Sequence, residues 1–281
     1  VKSTIGVMMR SGKLTGAALT AELQEAREAC IDTIWFRDTP LSVDGLENAR
    51  YPFDPIVAGT FAVLQGFREI GFSVLTAGYR SELQIARQIS SLVCLSEATI
   101  HLGIGRGVFQ EVNEHLGSTT LDLESFVMTT SSTLDSALLD VASAGSDLAP
   151  YNERVKLYLA SSSVQRVGKC SPWLDGWMTR EDSLPNMRAK ITSAIELSGK
   201  PLSTVLYLRI IVDENDVNAP PRNIPVDRDL PAIWLGQASL NRVLDAYTKC
   251  GVNHFILESV TGLKALSAAL RPIGDESSVN R

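Results

Sequence analysis

The chain has 281 residues, of which 44% are hydrophobic and 21% charged, the composition of a folded globular domain with a full core. A net charge of −6 argues against a nucleic-acid groove or an anionic membrane surface. No apolar run is long enough for a membrane span and Val1 follows no signal-like segment, so a cytoplasmic protein is expected.

Strand-like and helix-like stretches alternate from end to end. The expected strands cover residues 3–9, 33–38, 72–79, 99–105, 156–161, 176–179, 204–212 and 253–258. Most are apolar on both faces, as parallel strands between helices and a core must be. Helical spacing lies between them: Leu19, Leu23 and Ala26, then Leu83, Ala86, Ile89 and Leu92, and later Leu240, Val243, Leu244 and Tyr247. Asp54 before Pro55 is an N-cap followed by proline at the first helical position. Eight such repeats predict an α/β fold, a single (β/α)8 TIM barrel over residues 1–274, with an open doubly wound sheet as the alternative. The stretch 213–233 holds Pro220, Pro221, Pro225 and Pro231 and reads as an extended excursion after strand seven, either an active-site wall or a surface insertion. Residues 275–281 form a polar tail expected to be disordered. Cys30, Cys94, Cys170 and Cys250 fall in helical segments, form no CxxC pair and read as isolated buried thiols.

Carboxyl ends of barrel strands carry the chemistry. The second strand ends in Trp35-Phe36-Arg37-Asp38-Thr39-Pro40, where Arg37 and Asp38 either hold substrate or pair with each other. The fourth ends in Gly103-Ile104-Gly105-Arg106-Gly107, whose glycines admit a flat or anionic ligand while Arg106 offers a bidentate donor. The fifth runs into Ser161-Ser162-Ser163, then Val164-Gln165-Arg166 opens a helix. Three hydroxyls at a helix start exceed what one N-cap needs and point to an anion site. The sixth, Gly176-Trp177-Met178-Thr179, can line a flat ring or pack core. Metal chemistry is not expected, since His101, His115 and His254 show no zinc spacing and Glu111, Glu114 and His115 read as a solvated helix face. His254 begins the last strand, on the stability face. Neither a GxSxG elbow nor a Walker loop is present.

In order and spacing these pieces resemble the bacterial-luciferase-like flavin monooxygenase superfamily, in its luciferase-type oxidoreductase subgroup, from residue 5 to residue 273. IWFRDTPL at 34–41, YPFDP at 51–55, LSEATIHLGIGRG at 95–107, the serines after strand five, DGWMT at 175–179 and GVNHFIL at 251–257 carry the likeness. The resemblance implies FMN across the barrel mouth, with an 8-hydroxy-5-deazaflavin coenzyme as the alternative. Its phosphate would be held by Gly105, Arg106, Gly107, Ser161, Ser162, Ser163 and Gln165. Its ring would lie against Ser73 and Val74, commonly joined by a non-proline cis peptide bond, with Trp177, Met178 and Thr179 beside it. Arg37, Asp38, Thr39 and Trp234 would line the substrate pocket, and the resemblance names no catalytic residue. It also implies a small-molecule substrate, reducing equivalents from a reduced nicotinamide or a partner flavin reductase, and a homodimer. Three departures stand out. Thr39 occupies the place of the family's histidine, residues 121–133 contain no arginine and put Glu124 near the expected one, and Glu82 replaces a proline. They leave a non-catalytic flavin-binding relative open. A phosphate-binding aldolase-type barrel fits less well, because Lys156 begins its strand.

Overall fold

The computed structural model describes residues 3–9, 15–31, 33–38, 53–107, 121–143, 151–213, 215–224, 232–260 and 262–270. In chain order the elements are β1 (Thr4–Met8), α1 (Gly16–Glu28), β2 (Thr33–Phe36), α2 (Pro55–Leu64), β3 (Glu69–Thr76), α3 (Glu82–Leu95) and β4 (Thr99–Gly105). Next come α4 (Leu123–Ser143), α5 (Tyr151–Arg154), β5 (Val155–Ala160), α6 (Val164–Cys170), a 3₁₀ turn (Ser171–Trp173) and β6 (Gly176–Arg180). The remainder is α7 (Leu184–Ser198), β7 (Ser203–Asp213), β8 (Arg222–Ile224), β9 (Ala232–Gly236), α8 (Gln237–Lys249), β10 (His254–Ser259) and α9 (Leu263–Leu270).

Seven strands, β1 to β7, run side by side in parallel, and β10 pairs in parallel with both β1 and β7. Each inner strand therefore has two partners and the sheet closes into the expected (β/α)8 barrel. The helices start where the sequence supplies caps. Asp54 accepts from Ile56 N and Val57 N at 2.9 and 3.1 Å, and Ser81 with Gln84 forms a capping box at α3. Leu19, Leu23 and Ala26 of α1 are buried, as are Leu240, Leu244 and Tyr247 of α8.

Two apolar cores follow from strand alternation. The outer one lies between strands and helices and takes Ile34, Phe36, Ile70, Phe72, Leu102, Ile104, Leu157 and Leu159. The inner one fills the barrel with Met8, Trp35, Tyr158, Met178, Val205 and Ile256, and Val74, Ala160 and Tyr207 pack against it. Trp35 fills the lumen because Gly6 and Gly71 face it without side chains; a Cβ on either would overlap the indole.

Several expectations are corrected. Strand three begins at Glu69 rather than residue 72 and ends at Thr76; Gly71, inside it, makes room for Trp35. Leu83 is exposed, since the buried stripe of α3 runs through Ile85, Ala86, Ile89, Leu92 and Val93. Cys30 and Cys94 are exposed rather than buried, while Cys170 is buried; all four are free thiols. Cys30 sits past the end of α1 at φ 55°, so the chain leaves the helical phase there. The excursion after β7 is partly strand: β9 runs parallel to the upper half of β7, from Ile210↔Ile233, and β8 returns antiparallel to it. No helix among the described residues is long and apolar enough to cross a membrane. Thr39, Pro40, Glu111, Glu114, His115, Pro225, Pro231 and the tail 275–281 lie outside the described residues.

Candidate active site at the barrel mouth

The carboxyl ends of β3, β4 and β5 converge. Ile104 pairs with Leu159 and Thr76 with Gly105, so Gly105 lies between Val74 and Ala160. A Cβ on Gly105 would meet Ala160 Cβ and Val74 Cγ2 at 3.2 Å each, a tight fit that glycine avoids. The peptide bond between Ser73 and Val74 is cis, as the sequence resemblance implied. Gly107 takes φ 74° over Thr76, a conformation and a closeness that suit glycine.

Arg106 and the serine turn share this end. Exposed Arg106 donates from Nη2 to Leu121 O at 3.3 Å, just before α4. Glu124 on that helix faces Arg166 at 3.7 Å and Lys169 at 3.4 Å, both on α6. The serines divide their labour. Ser163 caps α6, accepting from Arg166 N at 3.3 Å, and Ser161 Oγ accepts from Ser163 N at 3.1 Å. Ser162 is exposed and projects from the turn. Two of the three hydroxyls thus shape the turn, and the first-turn amides of α6 face outward without helical acceptors. Gln165 is exposed beside them.

Met178 belongs to the inner core, and its Sδ fills the space over Gly103 that a Cβ would need. Trp177 does not line the mouth. Alternation turns it into the outer core, where its Nε1 donates to Ser161 O at 2.7 Å and so supports the serine turn from behind. Thr179 is half-buried near the end of β6.

Across the mouth, β2, β7 and β10 carry a polar cluster. Arg37 Nη2 donates to Tyr207 Oη at 2.8 Å and to Glu258 Oε2 at 2.5 Å; the Tyr207 hydroxyl donates to Glu258, and Arg209 Nε lies 3.8 Å from that carboxylate. Burial alone would push the Glu258 carboxyl up. The charge of Arg37 and the hydrogen bonds from Tyr207 and Arg37 outweigh it and hold the group below the usual carboxylate range. Burial raises the Tyr207 phenol, which stays protonated.

Asp38 faces the other way and does not pair with Arg37, because neighbouring residues alternate sides. It accepts from Thr76 N at 3.0 Å and Arg80 Nη1 at 2.6 Å, and Arg80 continues to Asp54. Burial raises the Asp38 carboxyl despite Arg80. Tyr79, beside it, keeps its hydroxyl buried without a hydrogen-bond partner among the described residues. Trp234 is in register with Ile211, on the β7 face that carries Tyr207 and Arg209, with Arg222 over its ring at 3.9 Å.

Sequence reading missed Tyr207, Arg209, Glu258, Tyr79 and Arg80. The available signal was polar residues at every second place in otherwise apolar strands: Tyr207 and Arg209 in LYLRIIV, and Glu258 closing FILE.

No protein-family model matches the chain, and no curated protein matches it. Solved structures do. An F420-dependent secondary alcohol dehydrogenase in complex with an F420–acetone adduct matches at TM-score 0.68 and 13% identity, over 97% of this chain and 100% of that one. The coenzyme F420-dependent tetrahydromethanopterin reductase from Methanopyrus kandleri matches at 0.70 and 11%, over 97% and 99%. An EDTA monooxygenase from Chelativorans sp. BNC1 matches at 0.69 and 13%, over 97% and 93%. The chain thus has the (β/α)8 barrel fold that this dehydrogenase, this reductase and this monooxygenase share.

Proposed function

We propose that the chain is an FMN-dependent oxidoreductase of the monooxygenase type acting on a small organic molecule. The observation that carries this reading is the convergence of the glycine-lined end of β4, the end of β3 at Val74 and the hydroxyl turn after β5 around one apolar floor. The residues suit the group. Ser162, Gln165 and the α6 amides are donors for a phosphate, with Arg106 beside them. Val74, Ala160 and Met178 offer a flat apolar bed for a ring, and the Tyr79 hydroxyl is a donor in want of an acceptor. Bound flavin would supply the transfer of electrons to oxygen or substrate, which no side chain here can perform. The chain's own part is to hold phosphate and ring, to exclude water with the inner core, and to orient substrate with Arg37 and Trp234, while Asp38, turned to the other side, ties Arg80 to the end of β3.

Reducing equivalents would come from a reduced nicotinamide or a partner flavin reductase. A cytoplasmic homodimer completes the reading, and the exposed Val57, Leu64 and Leu83 of α2 and α3 support an apolar contact between copies.

Two variants of the reading have observations in their favour. An 8-hydroxy-5-deazaflavin coenzyme is supported by the two F420-dependent proteins that share the fold. A flavin-binding relative without turnover is supported by Glu124, which occupies the cations Arg166 and Lys169 beside the serine turn. Visible absorbance and fluorescence titration with FMN and with the deazaflavin distinguishes the first pair. FMN is expected to bind, and failure of both coenzymes to bind removes the flavin reading. Oxygen uptake with FMN and reduced nicotinamide tests turnover; tight binding with no uptake, even with a reductase added, selects the binding protein.

A further inference from the structure

Arg37 enters the barrel mouth with half of its guanidinium engaged. Its Nη2 serves both Tyr207 and Glu258, while Nε and Nη1 have no protein acceptor among the described residues. The Glu258 side chain is 2% exposed and that of Arg37 19%, so the carboxylate is sealed and the arginine stands at the boundary of the lumen. The Tyr207 ring braces it from the side, 5.6 Å from the guanidinium carbon.

A second cation lies on the same wall. Trp234 pairs in register with Ile211 on one side and with Arg222 on the other, so Arg222 and Trp234 continue the inner face of β7 beyond the end of β6. Arg222 stacks on the Trp234 ring, which restrains an otherwise mobile side chain, and it has no carboxylate partner among the described residues. The lumen beside these cations is apolar: Tyr207 and Val74 pack against the inner core of Met8, Met178 and Ile256. Apolar walls lower the local dielectric and strengthen any anion–guanidinium contact made there. A planar guanidinium with open donors matches the oxygens of an oxyanion better than those of a neutral group.

We propose that Arg37, with Arg222 on the wall beyond it, binds the oxyanion of the substrate, so that the substrate is a small organic acid bearing a carboxylate or sulfonate. Tyr207 and Glu258 are positioning residues that hold Arg37 with its open side toward the lumen. This rests on the proposed function for what the bound acid is used for, and only on the mouth's geometry for the binding.

The test is calorimetric titration of the full chain, with and without FMN, using benzoate, butanoate and benzenesulfonate as probes against benzamide and butanamide. At least one acid should bind tenfold or more tighter than its neutral analogue. Arg37→Gln should reduce that preference at least tenfold, Arg37→Lys should restore part of it, and Arg222→Gln should reduce it a few-fold. Tyr207→Phe should lower the preference for the acid while leaving amide affinity unchanged, an outcome that a general loss of packing would not give. Arg222 is exposed, so its variant keeps the test open if Arg37→Gln does not fold. No binding of any acid, equal binding of acid and amide, or a preference unchanged in both arginine variants overturns the proposal. FMN binding is read separately by absorbance, so acid binding without FMN binding would sink the flavin reading and leave this one standing.

Discussion

The barrel carries two polar clusters, one at each end, the amino-end one half-buried, and they differ in how far their side chains satisfy one another. At the amino end, Thr33 donates to Glu69 at 2.8 Å, His101 Nε2 lies 3.7 Å from the same carboxylate, His101 Nδ1 meets Tyr158 Oη at 3.1 Å, and Thr4 hydrogen-bonds His254. The hydrogen bond with His101 and that from Thr33 hold the Glu69 carboxyl down against its burial. At the carboxyl end, among the described residues, Arg37 has no acceptor for two of its nitrogens and Tyr79 none for its hydroxyl; next to His101 the Trp35 Nε1 is the one such donor. A cluster that closes on itself contributes stability; one that leaves donors pointing into a lumen is poised for a ligand. On the proposed function, the amino end is the structural end and the carboxyl end the binding one, as in barrels generally.

Substitutions can break that contrast. The largest effect is expected from Glu258→Ala, which strands Arg37 without its carboxylate. Urea unfolding should show a loss of about 3–5 kcal/mol, the cost of breaking a buried charge pair from one side. A loss below about 1 kcal/mol would mean that Arg37 turns to solvent and the mouth cluster is not rigid. Arg106→Ala should weaken FMN binding by about 1.5–3 kcal/mol, the range for a charge-assisted hydrogen bond, with little change in unfolding. Unchanged affinity in a calorimetric titration removes Arg106 from the site.

At the closed end the pattern should invert. Tyr158→Phe takes the partner from His101 Nδ1 and should cost about 1–3 kcal/mol of stability, leaving coenzyme affinity untouched. Coupled loss of coenzyme binding would show that the two ends communicate.

A further effect at this end concerns pH. Burial, then the neighbouring His101, depresses His254 from 6.5 to about 4, partly opposed by Glu69. Between those values the unfolded chain binds the proton that the folded chain refuses, so stability is full above about pH 6.5 and falls as pH drops toward about 4. Unfolding midpoints measured across that window should slope for the natural protein and flatten in His254→Asn. Parallel slopes would dismiss His254 as the group responsible.

Alternating apolar strands and helical stripes were legible without coordinates because burial imposes a period on each element, and seven of the eight expected strands begin within about a residue of where they lie. The eighth, β3, begins at Glu69, ahead of Gly71: a glycine in a strand has the same signature as a turn, and only the Trp35 ring packed on it tells the two apart. The same limit applied to the mouth. Gly105, Arg106 and the three serines are neighbours along two chain segments and could be read as local motifs. Arg37, Tyr207 and Glu258 are brought together from positions far apart in the chain, so no spacing announces them. Trp177 and Met178, adjacent in the sequence, were grouped together, yet they face opposite sides of β6.

The sequence by itself determined the barrel, its caps and the glycine- and serine-rich strand ends, because these depend on local propensity and on periodic burial. Tertiary structure alone decided which charged side chains meet in the lumen and which serines remain free, because closing β10 against β7 sets distances that no local rule contains.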